Sequence, residues 1–293
     1  MNDPEERGWH VREYGAEIAG TMFMVLIGLS AVALNFGTGS PTAELIPNEA
    51  ARRLLTGVTF AGAAAAVAYS PLGMRSGGHL NPAVTLAFHR LGKVSARDVI
   101  GYIGAQGAGA SLGAVAAALI WTNRAESVSL GVTGPGPAGR WAAFGVEVAM
   151  TCVLMTVILH VVDRVRVARL TPLVAGAVAA LFVMLLAPVS GTSLNPARSA
   201  GPSVVLPRLT DLWIYLTAPT LGALAAAELF GRIRGRPRLR QARASAPRAA
   251  LPLHRLRVPA RGPRTARDSR ATSRCRKQLT TWSFTRPVAC MKA

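Results

Sequence analysis

The chain has 293 residues, 51% hydrophobic and 16% charged, with a positive mean hydropathy, which excludes an ordinary soluble domain and points to a membrane protein. Its net charge of +19 does not read as nucleic-acid binding, because from Gly231 onward 18 Lys+Arg face a single acid, Asp268. Cys152, Cys275 and Cys290 form neither a disulfide framework nor a metal-ligand spacing, so no cofactor or metal is expected.

Residues 1–13 carry Asp3, Glu5 and Glu6. They lack the basic leader of a signal peptide, so the first apolar run is expected to stay in the mature protein. Six apolar stretches then follow, each long enough or nearly so for a hydrocarbon core of about 30 Å. They cover residues 14–35, 54–71, 99–121, 141–162, 170–188 and 212–230. Two shorter runs, 81–89 and 195–206, interrupt the series. The order is two spans, a half-length run and a span, and then the same again. This predicts an all-α membrane protein of six transmembrane helices plus two re-entrant half-helices, with repeats at about 14–122 and 141–230. Residues 231–293 are rich in Arg, Pro, Ala and Ser without periodicity. They read as a disordered basic tail near anionic lipid headgroups, not a nucleic-acid-binding segment.

Each half-length run opens on the same tripeptide, Asn81-Pro82-Ala83 and Asn195-Pro196-Ala197. Chance supplies this triplet about 0.05 times in a chain of this length. Small residues and a Leu precede both copies. Asn is a good N-cap and Pro suits the first helical position, so each copy reads as a loop followed by a helix start. A lone copy would be an ordinary cap. Two copies in matching half-spans predict paired helix starts at mid-membrane.

A repeat is also visible in Ala16-Glu17-Ile18-Ala19 and Val146-Glu147-Val148-Ala149, each Glu preceding its Asn by a roughly similar distance. Three spans per half is odd, so the second copy enters the membrane inverted, which points to a site at the midplane. Arg90, Lys93 and Arg97 share one side with Arg164, Arg166 and Arg169; Arg52, Arg53, Arg124, Arg140 and Arg208 lie on the other. With the basic tail, this predicts cytoplasmic termini.

Half-helices meeting end to end would aim two positive dipole ends at one point. Asn81 and Asn195 would present amide N–H groups, and loops 76–80 and 191–194 a ladder of carbonyls. Arg198 would supply a fixed cation. A neutral hydrogen-bonding molecule exchanges partners along such a path, whereas a cation meets a barrier.

These features resemble the major intrinsic protein family, the aquaporins and aquaglyceroporins, over about residues 10–230. The resemblance implies a passive one-chain pore for water and small uncharged solutes, assembled as a homotetramer in the cell membrane. It also suggests that Glu17 and Glu147 brace the two loops by accepting backbone N–H bonds, and that Gln106 packs near them. His79 is either pore-facing or a loop cap. The family's narrowest point maps to Ala61, Val183, Thr192 and Arg198, with Ala61 depending on an ungapped count across 70–75. Water-selective relatives resemble one another in a Phe and a His where Ala61 and Val183 stand here. Glycerol facilitators generally have Asp where Ser199 follows Arg198. The filter matches neither pattern, and the solutes expected are water with glycerol, urea or undissociated metalloid hydroxides. The alternative class is a secondary transporter built from inverted repeats and broken helices. An enzyme is not expected, since no nucleophile–base pair or metal cluster shares a face.

Overall fold

The computed structural model describes residues 8–234, so the tail reading for 235–293 lies outside the described residues. Among the described residues, ten α-helices follow one another in chain order. The first repeat contains α1 (Val11–Phe36), α2 (Pro41–Leu45), α3 (Glu49–Tyr69), α4 (Pro71–Ser76), α5 (Pro82–Arg90) and α6 (Ala96–Ser127). The second contains α7 (Gly139–Val162), α8 (Thr171–Ser190), α9 (Pro196–Val205) and α10 (Leu212–Arg234). No strand occurs among the described residues, and the fold is that of an all-α membrane protein.

The boundaries correct the sequence reading in detail. α1 begins at Val11 and α10 runs to Arg234, so residues 231–234 belong to the last helix and not to the tail. α6 extends to Ser127, but its helical backbone breaks at Thr122, where φ is 38° and ψ −114°, just past the expected end at 121. Two short helices, α2 and α4, were not expected. Each is capped by a Ser side chain, Ser40 or Ser70, with Pro at the next position, the same local chemistry as the two Asn-Pro starts. They also explain an irregular repeat: Glu17 precedes Asn81 by 64 residues, whereas Glu147 precedes Asn195 by 48.

Among the described residues, five helices are long and apolar enough to cross a membrane. The remaining long helix, α3, has 21 residues, roughly 31 Å of rise, but Glu49, Arg52, Arg53 and many Ala, Gly and Thr residues lower its hydropathy. Its lower hydropathy has a structural counterpart, because one face of α3 lines a cavity. Conversely, α8 leaves Leu173, Leu181 and Leu185 exposed, and α6 exposes Leu112, Leu119 and Ile120. Such apolar outer surface suits lipid and not water.

Packing pairs helices within each half and across the two halves. α1 lies along α6, α7 along α10, and α3 along α8. Half-helix α5 packs on α10, and half-helix α9 on α6, so each is held by the last helix of the opposite repeat. Small residues permit these contacts. A Cβ on Gly109 would stand 2.4 Å from the Ile18 carbonyl oxygen, and one on Gly222 would stand 2.3 Å from that of Val148. The two glycines occupy equivalent places in the α1–α6 and α7–α10 pairs.

Candidate functional site

The two half-helices meet at their N-termini. Asn81 and Asn195 both have extended backbone, with φ of −155° and −151°, and cap the helix that Pro82 or Pro196 begins. Asn81 Oδ1 accepts from Ala83 N at 2.9 Å, and Asn195 Oδ1 accepts from Ala197 N at 2.9 Å and Arg198 N at 3.3 Å. The amide nitrogens reach across the seam. Asn81 Nδ2 donates to Leu194 O at 2.9 Å, and Asn195 Nδ2 donates to Leu80 O at 2.8 Å. This modifies the sequence expectation, because one N–H of each Asn is committed to the protein. A second amide hydrogen on each remains for another partner.

Leu80 and Leu194 adopt left-handed backbone, φ 50° and 56°, which costs a branched residue about 1–2 kcal/mol each. Hydrogen bonds on both sides of each Leu hold this geometry. Glu17 accepts from Leu80 N at 2.8 Å and His79 N at 3.0 Å, and also from Ser76 Oγ at 2.6 Å. Glu147 accepts from Leu194 N at 3.0 Å, Ser193 N at 2.7 Å and Ser190 Oγ at 2.8 Å. Both carboxylates are fully buried, and burial of that kind is tolerable only with such donors. Gln106 Nε2 gives Glu17 a fourth donor at 2.7 Å. The loops are fastened again at their other ends, where Tyr102 OH donates to Ser76 O at 2.5 Å and Tyr215 OH to Ser190 O at 2.7 Å.

His79 is nearly buried. Its Nδ1 lies 3.0 Å from Thr85 Oγ1, and its ring stacks on Phe88 at 5.3 Å between centroids. It does not line the large cavity, and its backbone N–H serves the Glu17 brace. Its ring therefore faces α5, where Thr85 and Phe88 lie.

A cavity of about 430 Å³ runs down to both Asn81 and Asn195. Ala61, Val183, Thr192 and Arg198 all line it. From α3 the lining residues Arg53, Gly57, Phe60, Ala61 and Ala64 recur at helical spacing, which puts them on one face. Arg198 Nη1 donates to Gly131 O at 2.9 Å, and its guanidinium lies 5.2 Å from the Phe60 ring centroid. The cation is thus held between a backbone carbonyl and an aromatic face. Ser199 joins a hydroxyl cluster, 2.7 Å from Thr133 Oγ1 and 2.6 Å from Ser193 Oγ. The segment that supplies Gly131 O is thereby tied to the half-helix that carries Arg198.

Sequence reasoning missed Phe60, Arg53, Tyr102, Tyr215 and Thr133. A signal existed for the tyrosines, since each lies about the same distance after its Asn-Pro-Ala: 21 residues for Tyr102 and 20 for Tyr215. Phe60 places an aromatic beside Arg198 from the position next to Ala61.

The family model described as Major intrinsic protein matches residues 6–230. The chain is 36% identical to Aquaporin NIP1-3 of Oryza sativa subsp. japonica over 221 residues, 75% of this chain and 72% of that protein. It is also 36% identical to Aquaporin NIP1-1 of Zea mays over 222 residues, 75% and 73% of the two chains. The aquaglyceroporin from Plasmodium falciparum shares the fold at a TM-score of 0.65 and 23% identity, covering 78% of this chain and 98% of its own. The chain belongs to the major intrinsic protein family.

Proposed function

We propose that this chain, a passive channel for water and small solutes by its family, conducts both water and uncharged solutes of about glycerol size through one pore per chain. The observation that carries this reading is the cavity lined by Ala61, Val183, Thr192 and Arg198 that extends to Asn81 and Asn195. Val183 and Ala61 present only small apolar groups, while Phe60 gives one aromatic wall beside Arg198. An uncharged polyol can set its carbons against Phe60 and Val183 and its hydroxyls toward Arg198 and the loop carbonyls.

Ion exclusion follows from charge. Arg198 and the two half-helix N-termini oppose a cation. An anion entering would lose its hydration in a narrow, largely apolar tube, a large cost in low dielectric. We assign Asn81, Pro82, Ala83, Asn195, Pro196 and Ala197 to the pore centre, the four filter positions to the constriction, and Glu17, Glu147 and His79 to support of the loops. The chain works in the cell membrane among lipids as a homotetramer with cytoplasmic termini. The arginines and lysine flanking α5 and α8 on one side support that orientation. Stopped-flow light scattering of vesicles carrying the purified chain tests the reading with water, glycerol and urea gradients. Accelerated flux of water and at least one solute is expected; water flux alone would overturn the solute part.

A further inference from the structure

Proline inside α8 creates a problem that a residue of α3 answers. Pro188 has no N–H, so the carbonyl four residues earlier, that of Met184, loses its helical donor. An unpartnered carbonyl in an apolar setting is costly. Arg53 Nε donates to this oxygen at 3.2 Å across the α3–α8 contact. Met184 adjoins Val183, the residue assigned above to the constriction. One turn along α3 from Arg53, Gly57 closes the contact: a Cβ there would stand 2.7 Å from Ala180 Cα and 3.0 Å from Val183 Cβ. Arg53 also lines the cavity, and its Nη1 pairs with Glu49 Oε1 at 2.6 Å.

We propose that Arg53 is a positioning residue for the constriction, its guanidinium replacing at Met184 the hydrogen bond that Pro188 cannot make and so fixing Val183 against α3. The inference rests on Val183 being at the constriction. Without the Arg53 bond, Met184 O loses the donor that stands in for the missing Pro188 N–H, α8 is freer to bend at Pro188, and the gap between Val183 and α3 is no longer set. A constriction of unfixed width discriminates less by size, so a larger solute gains relative to water. The Glu49 pair lies toward solvent and holds the other end of the guanidinium. Exposed pairs of that kind contribute little, and the Met184 bond does not depend on it.

The test uses the full chain in proteoliposomes and reads the ratio of glycerol to water permeability, with thermal unfolding in detergent as the check on folding. Arg53→Met is expected to raise the ratio about fivefold, the factor that one hydrogen bond of ordinary net strength is worth. Pro188→Ala returns an N–H to Met184 O, so the double variant R53M/P188A is expected to restore the wild-type ratio. Glu49→Gln is expected to leave it unchanged. Restoration by P188A separates positioning from charge, because the double variant still lacks the cation. An unchanged ratio in folded R53M, or a raised ratio that P188A fails to correct, would overturn the proposal. Val183→Trp serves as the control on the underlying reading. If it leaves glycerol flux intact, Val183 is not at the constriction; if it blocks flux while R53M does nothing, only the role given to Arg53 fails.

Discussion

The side-chain amide of Asn81 donates across the seam between the two repeats to the backbone carbonyl of Leu194, at 2.9 Å. Its repeat mate makes the reciprocal bond to Leu80. The capping residues of the two half-helices therefore also form the joint between them, and local helix chemistry and tertiary assembly rest on the same two side chains.

Replacing Asn81 or Asn195 by Ala removes both the cap and the joint. A lost cap costs about 1 kcal/mol in ordinary helices, and a buried carbonyl left without its donor adds about 1–3 kcal/mol. Each single variant is expected to lose about 2–4 kcal/mol of stability together with most of its water flux. Asn81→Asp offers a finer probe. It keeps the cap acceptor toward Ala83 N but has no donor for Leu194 O, so it separates the two functions. Unfolding in detergent beside stopped-flow swelling measures both quantities. Wild-type stability and flux in both Ala variants would contradict the paired half-helix arrangement.

Glu17 and Glu147 are expected to tolerate substitution poorly, and unequally. Glutamine keeps the shape but replaces one acceptor by a donor that faces other donors. At Glu17 the opposed groups are Ser76 Oγ, His79 N, Leu80 N and Gln106 Nε2; at Glu147 they are Ser190 Oγ, Ser193 N and Leu194 N. A charged-group hydrogen bond contributes about 1.5–3 kcal/mol, so loss of one or two predicts a deficit of several kcal/mol. Glu17→Gln should be the more destabilised of the two, as judged by the unfolding midpoint of the purified chains. Equal midpoints for Glu17→Gln and wild type would remove the bracing role.

Much of this site was legible in the sequence. The twin Asn-Pro-Ala motifs carry their own structural meaning, since N-cap and first-turn preferences act within three residues. The glutamates stood out through the repeated segments Ala16-Glu17-Ile18-Ala19 and Val146-Glu147-Val148-Ala149, and their bracing role came from the family resemblance. What escaped was information that no local pattern holds. Gly131 is one glycine among 29, and its contribution is a carbonyl oxygen. Arg53 reads as an outer charge beside Arg52 until α3 is seen to turn it toward α8. Phe60 was hidden by a one-residue choice on a helix whose adjacent positions both touch the cavity. α2 and α4 were overlooked although Ser40-Pro41 and Ser70-Pro71 carry the same start signal as the half-helices, because each is too short to show periodicity.

Arg198→Ala is expected to loosen selectivity without abolishing transport. The guanidinium occupies space between Gly131 O and Phe60, so its removal enlarges the passage and takes away a fixed charge. Water flux should persist, while larger solutes pass faster and vesicles lose their resistance to small cations. Conductance in planar bilayers and solute swelling rates provide the measurements. Complete loss of flux in a folded, inserted variant would contradict this assignment.

The width of the filter depends on two neighbouring residues of α3, Phe60 and Ala61. Phe60 supplies an aromatic face next to Arg198, whereas Ala61 and Val183 leave the remaining walls short. The double variant Ala61→Phe and Val183→His adds bulk on two sides of a passage whose α3–α8 wall is already tight. Gly57 lies against Ala180 and Val183, and a Cβ on Gly176 would come within 3.1 Å of Ala61 Cβ. Extra volume there cannot be absorbed by spreading the helices without strain of about 1–3 kcal/mol, so the new side chains must project into the cavity. Glycerol and urea flux are expected to fall far more than water flux. Phe60→Ala is expected to act in the opposite sense, raising the solute-to-water ratio and reducing the hold on the Arg198 guanidinium. Paired swelling assays in all three gradients decide the matter. A double variant with wild-type solute flux would place the constriction elsewhere along the cavity. An unchanged ratio in Phe60→Ala would mean that the aromatic wall does not meet the permeating solute.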